Sequence, residues 1–159
     1  GKNHQPFILK PLNGMGGESI YKFDQVTDEE IGIFQSLSKN NTHVMLQNFL
    51  PEIYDGDFRI LIIHGEVCPI ALARIPQEGS FKGNLAAGGK GIAKEISTQQ
   101  KNVAKEIGKI LIKNNIAFAG IDMIGNHLTE INVTSPTGAK EIFDQSGVNP
   151  IELLFKKLL

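Results

Sequence analysis

The sequence predicts an α+β domain in which antiparallel sheets are flanked by helices, rather than a doubly wound parallel sheet. Three observations carry this prediction. Strand-like apolar stretches come in pairs around short turn signals: Arg59 to Ile63 with Val67 to Arg74 about His64-Gly65-Glu66, and a second pair about Gly125-Asn126. Helical periodicity is confined to separate segments, most clearly from about Thr98 to Asn115. The glycine-rich turn Gly14-Met15-Gly16-Gly17 lacks the Lys-Ser/Thr pair of a P-loop and leads into a strand, so it does not open a parallel nucleotide fold.

Taken in order, Pro6 to Lys10 reads as a short buried strand around Phe7-Ile8-Leu9, and Ser19 to Phe23 as a second strand. A helix runs from Asp28 to about Lys39, with Ile31, Phe34 and Leu37 at helical spacing. Val44 to Phe49 is a strand, and the Arg59–Arg74 hairpin follows it. Ile75 to Ile92 is polar and glycine-rich. Ser97 with Gln100 forms a capping box ahead of a helix whose apolar stripe is Val103, Ile107, Ile110 and Leu111. A short helix lies near Ala139 to Gln145, and Asn149-Pro150 opens another, with Ile151, Leu154, Phe155 and Leu158 as its buried face.

Composition narrows the function. The 159 residues suit one domain, and 41% hydrophobic with 21% charged content describes a globular rather than a disordered chain. No apolar run approaches the ~20 residues of a membrane helix. A net charge of −1 argues against non-specific nucleic-acid binding, which needs a basic surface. The single cysteine, Cys68, sits in an apolar strand pattern without a nucleophile signature and reads as a buried thiol in a reducing, cytoplasmic compartment.

The segment Gly120 to Asn132 carries the most specific chemistry. Its two strands hold Asp122, Glu130 and Asn132, three oxygen donors suited to a hard cation such as Mg²⁺. Glu130 and Asn132 share a strand face. A two-residue loop at Gly125-Asn126 would set Asp122 opposite Thr129, whereas a three-residue loop, Gly125-Asn126-His127, would set it opposite Glu130. On the other face Ile121, Met123, Ile131 and Val133 form an apolar set fit for a core. The competing reading is a hairpin whose polar residues are merely solvated.

Two glycine-rich loops suit phosphate. Gly14, Met15, Gly16 and Gly17 could turn backbone N–H groups toward an anion, with Lys10 adding a point charge. The stretch from Arg74 to Gly91 exceeds the ~12–15 residues of ordinary connections and reads as a lid carrying Arg74, Lys82 and Lys90.

Four segments, Ile8-Leu9-Lys10-Pro11-Leu12-Asn13-Gly14-Met15-Gly16-Gly17, Ala73-Arg74-Ile75-Pro76, Gly83-Asn84-Leu85-Ala86-Ala87-Gly88-Gly89 and Leu128 to Thr137, closely resemble the bacterial glutathione synthetases of the ATP-grasp superfamily. The lid is specific to that family, while the Asp…Glu-x-Asn pattern belongs to the whole superfamily. The resemblance implies that ATP lies between two antiparallel sheets and phosphorylates the C-terminal carboxylate of γ-glutamylcysteine, after which the amine of glycine attacks the acyl phosphate. It implies that Asp122, Glu130 and Asn132 hold Mg²⁺ or Mn²⁺, and that Lys10 meets ATP phosphates. Gln47, Asn48, Phe49 and Leu50 correspond to the strand that meets adenine. Asp57 and Arg59 correspond to a pair near nucleotide and peptide, Arg74 to the group facing the transferring phosphoryl, Lys82 to a basic lid residue and Ser135 to a peptide contact.

Relatives also carry an N-terminal substrate domain and an upstream lysine that meets ATP. The chain is therefore expected to be the C-terminal ATP-grasp part of a longer protein, itself a homo-oligomer, and to be inactive alone. The alternatives are a non-catalytic nucleotide-binding module and an ATP-grasp ligase for another amino acid or peptide.

Overall fold

A computed structural model describes residues 5–13, 17–39 and 42–156. The chain forms two compact units, Gly1–Pro51 and Glu52–Leu159.

The first unit contains strands Phe7–Pro11 (β1) and Tyr21–Phe23 (β2), helix Asp28–Leu37 (α1) and strand Val44–Asn48 (β3). The strands form an antiparallel sheet in the order β2-β1-β3. The second strand begins at Tyr21 rather than Ser19, whose φ of 55° breaks the extended run. Thr27 and Glu30 close α1 with a reciprocal capping box. The expected apolar face of α1 is not a buried one: Ile31 and Phe34 are exposed, and Ile33 and Leu37 are the half-buried pair, one turn apart.

The second unit is built on one antiparallel sheet. Strands Asp57–Ile63 (β4), Glu66–Val67 (β5), Ile70–Ile75 (β6), Lys90–Glu95 (β7), Phe118–Ile124 (β8) and His127–Asn132 (β9) contribute to it, in the order β7-β6-β4-β8-β9 with β5 beside the end of β4. The turn joining β4 and β5 has two residues, His64 and Gly65, both at positive φ, as a type I′ turn requires. Glu66, expected in that turn, is instead paired with Ile63. The expected single strand Val67–Arg74 is divided at Pro69, which has no N–H to donate, while Cys68 N–H keeps the ladder with Leu61 O at 2.9 Å. The expected loop from Ile75 to Ile92 is shorter: β7 pairs with β6 from Ile75↔Lys90 onward, leaving residues 76–89 as the connection.

Helices Thr98–Lys113 (α2), Ala139–Ser146 (α3) and Pro150–Lys156 (α4) complete the unit. Ile60, Ile62, Ala71, Ala119, Ile121 and Met123 pack under Ala104 and Leu111 of α2. Leu61, Cys68 and Leu72, from the opposite sheet face, pack under Ile142 of α3. Of the predicted α2 stripe, Leu111 is buried and Val103 and Ile107 pack against the same core, while Ile110 does not. Ile110 is 55% exposed, whereas Gln100, Ala104, Gly108 and Leu111 are buried. Gly108 is a glycine because the helix lies close to the β4–β5 turn: a Cβ there would sit 2.5 Å from Gly65 O. Asn149 caps α4 through Oδ1, which accepts from the N–H groups of Ile151 and Glu152. Its expected buried face is also corrected: Ile151 and Phe155 are exposed, Leu154 is half-buried, and Leu158 lies outside the described residues. Among the described residues no helix is long and apolar enough to cross a membrane.

Candidate active site

Pairing register puts Asp57, Arg59, Leu61 and Ile63 of β4 on one face of the sheet. That face is charged at one end and apolar at the other. The apolar end runs under α3, and the charged end is where the site forms.

Arg59 stands directly opposite Asp122 on β8, and Asp57 opposite Arg74 on β6. Arg59 Nε donates to Asp122 Oδ1 at 2.5 Å and Nη2 to Oδ2 at 2.9 Å, a bidentate pair. Arg74 Nη2 is shared, lying 2.5 Å from Asp57 Oδ2 and 2.8 Å from Asp122 Oδ2. Arg59, Arg74 and Asp122 are buried, and Asp57 Oδ1 is a buried oxygen without a hydrogen-bond partner. Burial pushes the Asp122 carboxyl upward, but Arg59 and Arg74 outweigh it and hold the group below the usual carboxylate range. For Asp57 burial wins. Its carboxyl is pushed up to about 7 against the pull of Arg74, with Asp122 adding to the rise. Burial works against the Arg59 cation as well, and Asp122 more than offsets it.

The β8–β9 hairpin adds Glu130 and Asn132. Asp122 pairs with Glu130 and Gly120 with Asn132, so all three oxygen donors share the face. The turn, however, is the two-residue Gly125-Asn126, with Gly125 at φ 56°, and Met123 pairs with Leu128. The register is recovered by a bulge at Thr129, whose Oγ1 donates to Asp122 O at 3.1 Å. The expected apolar back face is half realised: Ile121 and Met123 are fully buried, while Ile131, on the edge strand β9, and Val133, just beyond it, are each 44% exposed. Asn132 Oδ1 accepts from the N–H groups of Thr134 and Ser135, which sets the direction of the chain beyond β9. Ser135 itself is exposed.

Among the described residues no three acidic, His or Cys side chains form a metal cluster. The candidate set is two carboxylates and an amide. These are oxygen donors of the kind a hard cation takes, and Asp122, with three donors on about four lone-pair sites, retains one. The residues present therefore fit a divalent cation.

Three residues that position the site were not singled out for it in the sequence, although Gly83 and Gly120 lie in segments that were. Gln100 was legible as a cap, yet its Nε2 also donates to Gly125 O at 3.2 Å and so fixes the hairpin turn to α2. Gly120 leaves the space that Arg59 crosses: a Cβ there would lie 2.8 Å from Arg59 Cδ and from Pro136 Cβ. Gly83, in the 76–89 loop, is buried where a Cβ would meet Arg74 O at 2.6 Å and Asp57 Cβ at 3.2 Å, which brings the loop onto the Asp57–Arg74 pair. Lys82, one residue before, is half-buried and its N–H donates to Ser80 Oγ. The ion pairs that tie Arg59, Arg74, Asp57 and Asp122 together do not include it.

In the first unit, Lys10 and Gln47 share a sheet face, since Lys10 pairs with Met45 and Ile8 with Gln47. Asn48 faces the other way, Phe49 is buried, and Leu50 is half-buried. β3 is an edge strand, so one side of its backbone has no partner in that sheet. Gly17 is buried with φ 84°, and Gly14, Met15 and Gly16 lie outside the described residues.

The family model for the prokaryotic glutathione synthetase ATP-grasp domain matches residues 1–147. The chain belongs to that family. It is 51% identical over 157 residues to the glutathione synthetase of Nitrosomonas europaea and 49% identical over 148 residues to that of Neisseria meningitidis serogroup A. These matches cover 98% and 92% of the chain but 49% and 46% of the relatives, so the chain spans about half the length of the curated relatives it matches. Among solved structures it is similar to D-cycloserine synthetase DcsG, with a TM-score of 0.65 at 16% identity over 84% of this chain and 49% of that one. It is also similar to the ATP-grasp ligase PsnB complexed with minimal precursor, Mg and ADP, with a TM-score of 0.63 at 20% identity over 96% of this chain and 45% of that one. At such identities these two show the fold, an α+β ATP-grasp portion with antiparallel sheets.

Proposed function

We propose that this ATP-grasp chain is the C-terminal, nucleotide- and metal-binding part of a cytoplasmic glutathione synthetase. The reaction would pass the γ-phosphoryl of ATP to the C-terminal carboxylate of γ-glutamylcysteine. The amine of glycine would then attack the acyl carbon and expel phosphate, leaving glutathione and ADP. The observation that carries the reading is the shared sheet face of Asp122, Glu130 and Asn132 in a chain of this family.

Those three residues would hold a divalent cation, Mg²⁺ or Mn²⁺, which when bound supplies charge neutralisation to the phosphates. Other groups of the chain, each in its own unit, would do the positioning. Arg74 offers a cation to the phosphoryl oxygens, and Arg59 fixes Asp122 by its two-bond fork and stands ready for the peptide carboxylate. The open edge of β3 offers backbone N–H and C=O groups to adenine, and Lys10 a charge to phosphate. The 76–89 loop, with Lys82 beside Gly83, covers the reacting groups and excludes water, and Ser135 meets the peptide. Little covalent work falls to the protein.

Glu130→Gln removes one negative charge while keeping size. Calorimetry should show Mg²⁺-dependent ADP binding weakened by about 10-fold, since affinity follows the charge of the ligand set. Wild-type affinity with wild-type metal dependence would remove Glu130 from the site.

A further inference from the structure

The arginine at the centre of the cluster has two carboxylates competing for one nitrogen. Arg74 Nη2 lies within hydrogen-bond reach of Asp57 Oδ2 and Asp122 Oδ2 at once. Asp122 is already committed to the Arg59 fork, so three guanidinium donors converge on it. Asp57 is the reverse case. Its Oδ2 accepts from Arg74 Nη2 and its main-chain O from Arg74 Nε at 3.4 Å, while its Oδ1 is buried with no hydrogen-bond partner among the described residues. An unpaired buried oxygen is costly to keep, and native structures keep one where a function uses it.

A cation at Asp122 would repel both guanidinium groups at that carboxylate. Arg59 is held there by two bonds, whereas Arg74 is held by one shared nitrogen and is the group free to yield. Its alternative partner is already in contact and has an oxygen in reserve. We propose that Asp57 is the positioning residue for Arg74, taking the guanidinium into a two-bond pair through Oδ2 and the free Oδ1 when a divalent cation takes Asp122. The inference rests on the reading of Asp122 as a cation ligand. It gives Asp57 no contact with substrate: Asp57 acts by relieving Asp122 of a competitor and by keeping Arg74 beside the site.

The test is a double-mutant cycle on the full-length protein at pH 8, read as Mg²⁺ affinity in the presence of ADP by calorimetry. Asp57→Asn leaves Arg74 with Asp122 as its only carboxylate, so Mg²⁺ should bind about 5- to 10-fold more weakly, in the range of coupling between adjacent charged groups. In an Arg74→Met background there is no guanidinium to relocate, and Asp57→Asn should then leave Mg²⁺ affinity unchanged. A merely structural role for Asp57 would weaken binding equally in both backgrounds, and that result, or no effect in either, overturns the proposal. Asp122→Asn separates it from the reading beneath: if that variant binds Mg²⁺ as wild type does, the cation site itself is wrong. Independently of any variant, the Arg74 Nε–Hε resonance of the wild type should shift as Mg²⁺ and ADP are added. A resonance fixed at saturation is the other overturning result.

Discussion

At the scale of single residues, Asp57 and Asp122 are two carboxylates on one arginine with opposite fates. Asp122 has three donors and stays ionised, while Asp57 has one bare oxygen and holds its proton up to about 7. The sign of the pH dependence follows. An unfolded aspartate titrates near 3.8. Between about pH 4 and 7 the native chain therefore keeps a proton on Asp57 that the unfolded chain has released, and stability falls as pH rises through that window. Asp122 works the other way: its contribution is present above the unfolded value and is lost as pH falls through its depressed folded value. Asp57→Asn should flatten the decline in melting temperature between pH 4.5 and 7, as estimated from this linkage, while leaving the acid limb in place. An unchanged slope on that limb and on the decline alike would show that Asp57 is ionised throughout. The candidate residues of this cluster were legible in sequence, but their pairing was not, because it depends on the register that places Arg59 across from Asp122 and Arg74 across from Asp57.

At the scale of elements, α2 shows where periodicity succeeds and where it stops. Its start was legible because Ser97 and Gln100 cap it by local bonds. Its buried face was legible in part: Val103, Ile107 and Leu111 do pack on the core, whereas Ala104 and Gly108, buried with them, are small residues that hydrophobicity does not mark. Gly108 makes the point testable. Alanine would gain about 1 kcal/mol of helix propensity. Its Cβ, though, would press on the Gly65 carbonyl at 2.5 Å, a backbone atom that cannot swing aside. Overpacking of this kind costs about 1–3 kcal/mol, so Gly108→Ala should lower stability in urea titration. A gain in stability would show that α2 can lift freely. The β8–β9 hairpin was half legible for a different reason: a three-residue loop and a two-residue loop with a bulge deliver the same register, and only coordinates separate them. The 76–89 loop is expected to open and close over the site. Trypsin should cut it at Lys82 first in the free protein, and Mg²⁺ with ADP should slow that cut. Equal protection with and without ligand would remove it as a lid.

At the scale of the whole molecule, the fold class was legible because paired strand signals and separated helices admit few layer arrangements. The exposed faces were not. Ile131 and Val133 look like core residues in the sequence and lie on an edge strand, and Ile151 and Phe155 have a helical spacing that no described neighbour covers. The chain spans about half of its curated relatives, which bears on activity. Reactants misplaced by ~1 Å can lose about 100-fold in rate. On the proposed function, the 159-residue chain by itself should release no phosphate above background from ATP, γ-glutamylcysteine and glycine, and a full-length protein containing it should. Full turnover by the chain alone would end the proposal that it is one part of a longer enzyme.

Cys68 is the chain's single thiol, 2% exposed between the sheet and α3, and burial pushes its pKa up. It shares its cluster with Leu72, against which Gly138 and Arg59 also sit. A disulfide reagent such as DTNB can reach it only while this layer is parted. Its labelling rate, divided by that of an unprotected thiol, is then the fraction of time for which the apolar floor beside Arg59 stands open. The 159-residue chain thus carries its own gauge of local opening, one thiol already in place and no label to introduce.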